Sequence, residues 1–354
     1  MKKFRRIGIL TSGGDAPGMN ACYRAAARCC LARGIEVYGI KEGYKGLIED
    51  NMKLVTSTID VNNLINKSGT VLYTARCDEF RTEEGMQKAI AVCKKNQIDG
   101  IVAIGGDGTF RGATDLSERG IPTIGIPGTI DNDIPASDYT IGFDTAVNTV
   151  ISMVDRLRDT CESHARCDVV EVMGHWSGNI AVYAGIATGA IATAIKELPF
   201  DEAKAMEDIK RARAVGKRSF IVIVSEGLKG FAEPLAVRIQ EQTGVETKFC
   251  RLAHVQRGGT PTLRDRVMAT RMGVEAIDQL LAGNSNCVVC ELDGKITTVD
   301  IERALKVDRY FKDKCTAEEI AAFTPEERAW IESRSDYVKS TMQMLYTIAN
   351  EVKA

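Results

Sequence analysis

The 354-residue chain carries no marked excess of either charge: 46 Lys and Arg face 48 Asp and Glu, a formal net charge of −2. That balance excludes a surface built broadly to hold nucleic acid or an anionic membrane, so any anionic ligand has to be gripped by a local cluster of cations. Long apolar runs are missing too. The longest clean ones, such as Phe220 to Val224, have strand length and fall far short of the roughly 20 residues that a membrane span needs. The amino terminus, MKKFRRIGIL, breaks at once into TSGGDAPG; its apolar stretch is too short for a signal-peptide core, and a cytoplasmic protein is expected. Low-complexity tracts, short-period repeats and obvious linkers are also lacking, so domain boundaries must be inferred.

A disulfide framework is equally absent. The eleven cysteines are scattered, Cys29 and Cys30 are neighbours, and no secretory signal precedes them, which points to reduced thiols. The spacing Cys287-Val-Val-Cys290 lies in an apolar run where strand alternation sends the two sulfurs to opposite faces, against metal or redox use.

What is present is the rhythm of a parallel α/β protein large enough for two domains sharing a cleft. Short apolar runs at Arg6 to Leu10, Gly100 to Ile104, Thr123 to Ile126, Asp168 to Met173 and Phe220 to Val224 are each followed by a glycine break and a helix-like stretch. Such strands are apolar on both faces because helices cover both sides of the sheet, and loops at their carboxyl ends form the ligand crevice. Near the C-terminus, Thr316 with Glu319, and Thr324 with Glu327 behind Pro325, have capping-box form and predict two helices, read as a surface or subunit-contact appendage.

Three breaks carry chemistry. In TSGGDAPGMN (Thr11 to Asn20), Gly13 and Gly14 let a ligand approach the backbone while the following helix aims its amino terminus at it. The loop is neither GxxxxGK[ST] nor GxGxxG, and an ordinary tight turn is an equal reading. In GGDGT (Gly105 to Thr109) an acid sits among glycines; a carboxylate beside phosphates needs an intervening cation, so Asp107 reads as a Mg²⁺ ligand, direct or through water. In PGTIDNDI (Pro127 to Ile134), Thr129, Asp131 and Asp133 recur at alternate positions, as if projecting from one side of an extended segment. A sugar hydroxyl attacking a γ-phosphoryl must lose its proton; one aspartate serves as base while its companion orients it or faces the metal.

TSGGDAPGMN, IGGDGT, PGTIDNDI, TIGFDTA, RLRDT, VEVMG and HVQRGGTP stand here in the order found in bacterial ATP-dependent 6-phosphofructokinases, and the chain resembles that family from about Ile7 to about Gly283. The resemblance implies two doubly wound three-layer α/β domains with a cleft between them. It places a nucleotide-binding domain at 1–140 plus about 255–300, a sugar-phosphate-binding domain at 141–254, and a C-terminal helical segment at about 301–354. It implies a homotetramer with shared active sites, phosphorylating fructose 6-phosphate with ATP at its 1-hydroxyl in glycolysis.

Carried over by matching position, Gly14, Arg76, Cys77, Gly106, Asp107, Gly108 and Thr109 hold ATP, with Asp107 serving Mg²⁺. Asp131 is the base, flanked by Thr129 and Asp133. Met173, Gly174, His175, Glu226, His254 and Arg257 grip the sugar phosphate, and Arg166 and Lys248 reach in from a neighbouring subunit. Diphosphate-dependent relatives carry an aspartate at the position of Gly108 and a lysine at that of Gly128; glycine at both leaves room for ATP.

Three departures stand out. His175 replaces the family's usual arginine, giving up a permanent cation for a group with a reference pKa of about 6.5. Losing a preorganised donor costs on the order of 10²–10³ in rate unless another group compensates. The alternatives this opens are a kinase for another sugar phosphate, such as tagatose or sedoheptulose phosphate, and a weakly active sugar-phosphate-sensing subunit. Lys248 replaces an arginine. Finally, the effector cleft's basic residues are matched by Arg24, Arg28, Arg158, Lys217 and Arg218, but its acidic member is Ile191 and two further contacts are Val215 and Ser219, leaving half a site.

Overall fold

Runs such as Gly100–Gly105 and Phe220–Ser225 are buried at every residue, as a strand covered on both faces must be, and they become the middle of two sheets. The computed structural model describes residues 4–352. In chain order the elements are β1 (Arg6–Thr11), α1 (Met19–Leu31), β2 (Glu36–Ile40), α2 (Gly43–Ile48), β3 (Met52–Val55), α3 (Glu83–Lys95), β4 (Gly100–Gly105), α4 (Asp107–Glu118), β5 (Thr123–Pro127), α5 (Phe143–His164), β6 (Cys167–Val172), α6 (Asn179–Thr188), β7 (Ala192–Ala194), α7 (Glu202–Ala214), β8 (Phe220–Ser225), α8 (Ala232–Thr243), β9 (Thr247–Arg251), α9 (Leu263–Ala282), β10 (Cys287–Leu292), β11 (Lys295–Asp300), α10 (Ile301–Phe311), α11 (Ala317–Ala321) and α12 (Pro325–Glu351).

The chain forms two compact units. Unit 1 comprises Met1–Ile130, Ile134–Asp144 and Thr260–Ser335; unit 2 comprises Asp131–Asp133, Thr145–Gly259 and Asp336–Ala354. Unit 1 holds a seven-stranded sheet in the order β11-β10-β5-β4-β1-β2-β3. Its five central strands are parallel, and both edges are antiparallel: β3 on β2, and β11 on β10 through the turn Asp293-Gly294, at φ 50° and 76°. The sheet is therefore mixed, where the apolar rhythm predicts a parallel one; the polar edge strands MKLV and KITTVD escape a search for runs that are apolar on both faces. Its core runs from Leu10, Ile40 and Phe110 to Val288, Val307 and Ile331.

Unit 2 holds four parallel strands in the order β7-β8-β6-β9, with a core built on Val169, Phe220, Val222, Leu235 and Ile239. The edge strand β7 is covered in an unusual way: the Asn350 side chain accepts from Thr193 N–H at 3.0 Å and donates to Thr193 C=O at 3.1 Å, as a neighbouring strand would.

The 301–354 segment is not a separate appendage. Among its described residues it forms the two helices that the capping boxes predict, α11 and α12, with α10 ahead of them. Ile301, Ala304 and Val307 of α10 and Ile331 of α12 are buried in the unit 1 core, and α12 passes from unit 1 to unit 2 at Ser335–Asp336. Both capping boxes form: Thr316 with Glu319 at α11, and Thr324 with Glu327 at α12, where each Glu carboxylate accepts from the cap N–H and each Thr hydroxyl accepts from the Glu N–H. All eleven cysteines are free thiols; Cys290 joins the unit 1 core and burial pushes the Cys287 thiol up to about 11. Among the described residues, no helix is long and apolar enough to cross a membrane.

Candidate active site

In unit 1 the strand order changes direction at the β4-β1 pair: β2 and β3 extend to one side, β5, β10 and β11 to the other. Loops leaving the carboxyl ends of strands at such a point splay apart and open a crevice. The loops concerned are those after Thr11 and after Gly105, and they are tied at their roots by Ser12 N–H donating to Ile104 C=O at 2.9 Å. A Cβ on Gly105 would lie 2.3 Å from both the Ser12 carbonyl oxygen and the Thr109 hydroxyl, so only glycine lets the loops meet. Gly106 caps α4 with extended backbone, and Asp107 is that helix's first residue, half-buried, with Oδ2 3.3 Å from Arg111 Nη2. Thr109 is buried, and its carbonyl accepts from the Tyr44 hydroxyl at 2.6 Å.

Gly14 is exposed in the first loop, which runs on to Gly18 before α1 begins at Met19. The helix thus starts later than the glycine pair suggests. Two other residues of that motif organise the neighbouring segment: Thr11 Oγ1 donates to Tyr73 C=O at 2.9 Å, and Asn20 is buried, donating to Lys67 and Ser68 carbonyls and accepting from Val71 N–H at 2.8 Å. Those bonds anchor the stretch leading to the exposed Arg76 and the half-buried Cys77.

The two glycines singled out for donor choice differ. A Cβ on Gly108 would meet nothing within 4 Å, consistent with room left for a ligand; on Gly128 it would press on Ile104 Cγ2 at 3.0 Å and Met19 Cε at 3.1 Å. Gly128 is held by packing inside unit 1.

In unit 2 the loops at the carboxyl ends of β6, β8 and β9 carry Met173 to His175, Glu226, and His254 with Arg257. Gly174 has φ 140°, and a Cβ there would strike the Ser177 carbonyl at 2.2 Å. His175 follows at φ 51°, its N–H donating to Glu226 Oε1 at 2.9 Å, and its imidazole stands edge-on to Trp176, whose ring lies 3.9 Å from Lys196 Nζ. Met173 N–H donates to the side chain of Gln256, a residue with no exposed surface that also donates to Ala253 C=O and so couples the β6 and β9 loops. Sequence reading passed over Gln256, Trp176 and Lys196. Gln256 lies inside the HVQRGGTP motif, and a glutamine between two ligand-type residues was the available signal.

Asp131 and Asp133 belong to this unit. They do not lie on an extended segment: residues 130 and 131 form a turn and Asn132 takes φ 48°, with its carbonyl accepting from Asn179 Nδ2 at 2.9 Å. The turn, not strand alternation, makes the two carboxylates converge. One ligating atom each of Asp131, Asp133 and His175 lie within 4.8 Å of one another, the first side chain buried, the second half-buried and the third exposed. His175 Nδ1 is 3.6 Å from Asp133 Oδ2. Burial, then Asp133, pushes the Asp131 carboxyl up to about 6, with His175 opposing. Thr129 belongs to unit 1, where its carbonyl accepts from the Thr140 hydroxyl at 2.7 Å.

Arg166 and Lys248 lie elsewhere. Both pair with Glu246, at 2.9 and 3.0 Å, and flank the amino-terminal ends of β6 and β9, where Asp168 is registered against Lys248. Six strand residues, about 20 Å, separate them from Met173 in the same sheet. Of the other basic residues, Arg24 and Arg28 bond to Asn62 in unit 1, whereas in unit 2 Arg158 donates to Thr188 C=O and Arg218 to the Glu162 and Ser163 carbonyls. Burial, then Arg158, lowers the pKa of Lys217.

The phosphofructokinase family model matches residues 6–280. An ATP-dependent 6-phosphofructokinase of Clostridium botulinum is 49% identical over 308 residues, covering 87% of this chain and 96% of that one. ATP-dependent 6-phosphofructokinase 1 of Clostridium perfringens is 47% identical over 310 residues, covering 88% and 97%. Among solved structures, phosphofructokinase from Saccharomyces cerevisiae superposes with a TM-score of 0.82 at 30% identity; it covers 97% of this chain, which spans about half the yeast chain, 49%. A pyrophosphate-dependent phosphofructokinase from Marinobacter aquaeolei shares the fold, with a TM-score of 0.75 at 20% identity, over 94% of this chain and 91% of its own. A family match across both units, together with near-half identity over almost the whole length of the bacterial relatives, places this chain in the phosphofructokinase family.

Proposed function

We propose that this enzyme transfers the γ-phosphoryl group of ATP to the 1-hydroxyl of fructose 6-phosphate, the activity named for its clostridial relatives. The observation that carries the proposal is the buried Asp131 carboxylate with a pKa of about 6: a base poised near neutral pH, beside Asp133, on the unit whose strand ends present Met173, Gly174, Glu226, His254 and Arg257. The sugar hydroxyl gives its proton to Asp131 as its oxygen attacks the γ-phosphorus, the bond to the β-phosphate oxygen breaks, and ADP leaves. Arg257 and His254 suit the substrate's phosphate, Glu226 its hydroxyls, and Thr129 and Asp133 support the base.

ATP is assigned to Gly14, Arg76, Cys77 and Gly106 to Thr109 of unit 1, where glycine loops at the strand switch offer backbone N–H groups and open space at Gly106 and Gly108. Asp107 fits Mg²⁺: its hard carboxylate oxygens sit at the first turn of α4 beside that space, and Mg²⁺ takes one or two carboxylates plus phosphates. Bound there, the ion would neutralise charge on the transferring phosphoryl.

A homotetramer with shared sites belongs to the same proposal, supported by Arg166 and Lys248 standing at the wrong end of their own sheet to serve this chain's base. A cytoplasmic location completes it.

The test is turnover of fructose 6-phosphate with Mg-ATP, in parallel with Mg-diphosphate and with tagatose and sedoheptulose phosphates. ATP-dependent turnover of fructose 6-phosphate as the preferred acceptor is expected; preference for another acceptor or for diphosphate would overturn the assignment. Mixing inactive Asp131→Asn and Lys248→Ala proteins should restore activity through hybrid assemblies if sites are shared.

A further inference from the structure

Resting on the kinase reading above, we propose that His175 is the outlet for the proton that phosphoryl transfer releases: from the sugar hydroxyl to Asp131, past Asp133 to the imidazole, and from there to water. The stoichiometry requires an outlet. Each turnover breaks one O–H bond, forms one O–P bond, breaks the bond between the γ-phosphorus and the β-phosphate oxygen, and leaves a proton on Asp131, which must be an anion again before the next cycle.

Asp131 is badly placed to lose that proton directly, because its carboxylate is buried. The three side chains form a gradient from inside to outside: Asp131 buried, Asp133 half-buried, His175 exposed with 63% of its side-chain surface open. Their nearest ligating atoms all lie within 4.8 Å of one another, separations that a single water or a substrate hydroxyl spans. At the inner end, burial and then Asp133 push the Asp131 carboxyl up to about 6, and an imidazole is the side-chain type suited to pass a proton on to water.

The imidazole is also held where the path needs it. The φ 51° backbone, the Glu226 bond to its N–H and the edge-on contact with Trp176 restrain the ring beside Asp133. The charged groups at this place are Asp131, Asp133 and Glu226, with Arg257 acting on Asp131 and Lys196 lying over Trp176.

His175→Gln keeps a hydrogen-bonding side chain at this exposed position and removes titration. In weak buffer with saturating substrates, kcat should fall on the order of 10-fold, less than the 10²–10⁴ expected for the base itself. Added imidazole should restore most of it, with KM for the sugar phosphate held within about twofold and an unchanged melting midpoint. A rise in KM with no imidazole rescue would mean that His175 only grips substrate, and the proposal would fall. It would fall equally if kcat were unchanged in weak buffer across pH 5.5–8. Wild-type turnover in the same assay tests the kinase reading separately; with no wild-type turnover, both fall.

Discussion

Unit 1 and unit 2 each gather their candidate ligand residues at the carboxyl ends of parallel strands, and they do so with opposite materials. Unit 1 uses absence of side chain: Gly105 permits the approach of two loops, while Gly106 and Gly108 face open space. Unit 2 uses charged side chains: Asp131, Asp133, His175, Glu226, His254 and Arg257 are brought to one edge by three strand-end loops and one turn. The difference follows the chemistry. Nucleotide phosphates are held by backbone N–H groups that approach closely and carry no net charge, whereas a reacting hydroxyl needs a proton acceptor of tuned strength, which backbone cannot supply.

The comparison predicts that unit 2 fails when a functional group is removed and unit 1 fails when a methyl is added. Asp131→Asn is the largest effect: kcat should drop by about 10²–10⁴ with substrate binding retained, measured by steady-state kinetics and equilibrium titration. Retention of activity above a tenth of wild type would remove Asp131 as base. Gly105→Ala comes next. Its Cβ, 2.3 Å from the Ser12 carbonyl, has to force the two loops apart by about 1 Å, which costs on the order of 10² in kcat/KM for ATP. The KM for sugar phosphate should stay put; a variant with unchanged ATP kinetics would break the account of unit 1.

Asp131→Asn should also separate activity from stability. The carboxyl's pKa is raised in the fold from 3.8 to about 6, so the folded state holds this proton more tightly than the unfolded state. Below about pH 4 both states are protonated and the site costs nothing; above about pH 6 the full penalty of a buried carboxylate is present. The inactive variant should therefore be more stable than wild type by about 3 kcal/mol at neutral pH, a difference fading on acidification, read as melting midpoints from pH 4 to 8. The wild-type rate should fall through the same region, with its acid limb near pH 6.

Much of this was legible in the residues, and what was not has physical reasons. Five apolar runs located five of the central strands because strands covered on both faces tolerate only apolar residues. Edge strands β3 and β11 carry polar residues on their open faces, so they lack that signature; Asp293-Gly294 is a hairpin signal that betrays β11. The three chemical loops stood out because glycine and aspartate interrupt apolar strands. The convergence of Asp131 with Asp133 was anticipated for the wrong reason, since it depends on the positive φ of Asn132, and residue spacing does not report a backbone turn. His175 beside Asp133 joins residues far apart in sequence, a proximity only the fold supplies.

The longest helix offers the finest comparison, because α12 serves unit 1 with its first turns and unit 2 with its last. At its start, Thr324 and Glu327 satisfy each other's backbone N–H groups on the exposed surface, where water is a ready substitute. At its far end, Asn350 is the only side chain among the described hydrogen bonds that engages both backbone groups of Thr193 on the edge of the unit 2 sheet. Removing the first leaves groups that water can reach; removing the second leaves a strand edge with two unmet partners beneath a helix. Asn350→Ala should therefore cost about 1–3 kcal/mol, from two lost bonds and incomplete solvation. Thr324→Ala should cost nearer ~1 kcal/mol, the usual worth of an N-cap. Denaturant titration of both variants ranks them, and hydrogen exchange at the Thr193 amide locates the first effect. Equal losses would mean that Asn350 acts only as part of the helix and that β7 holds its edge without it.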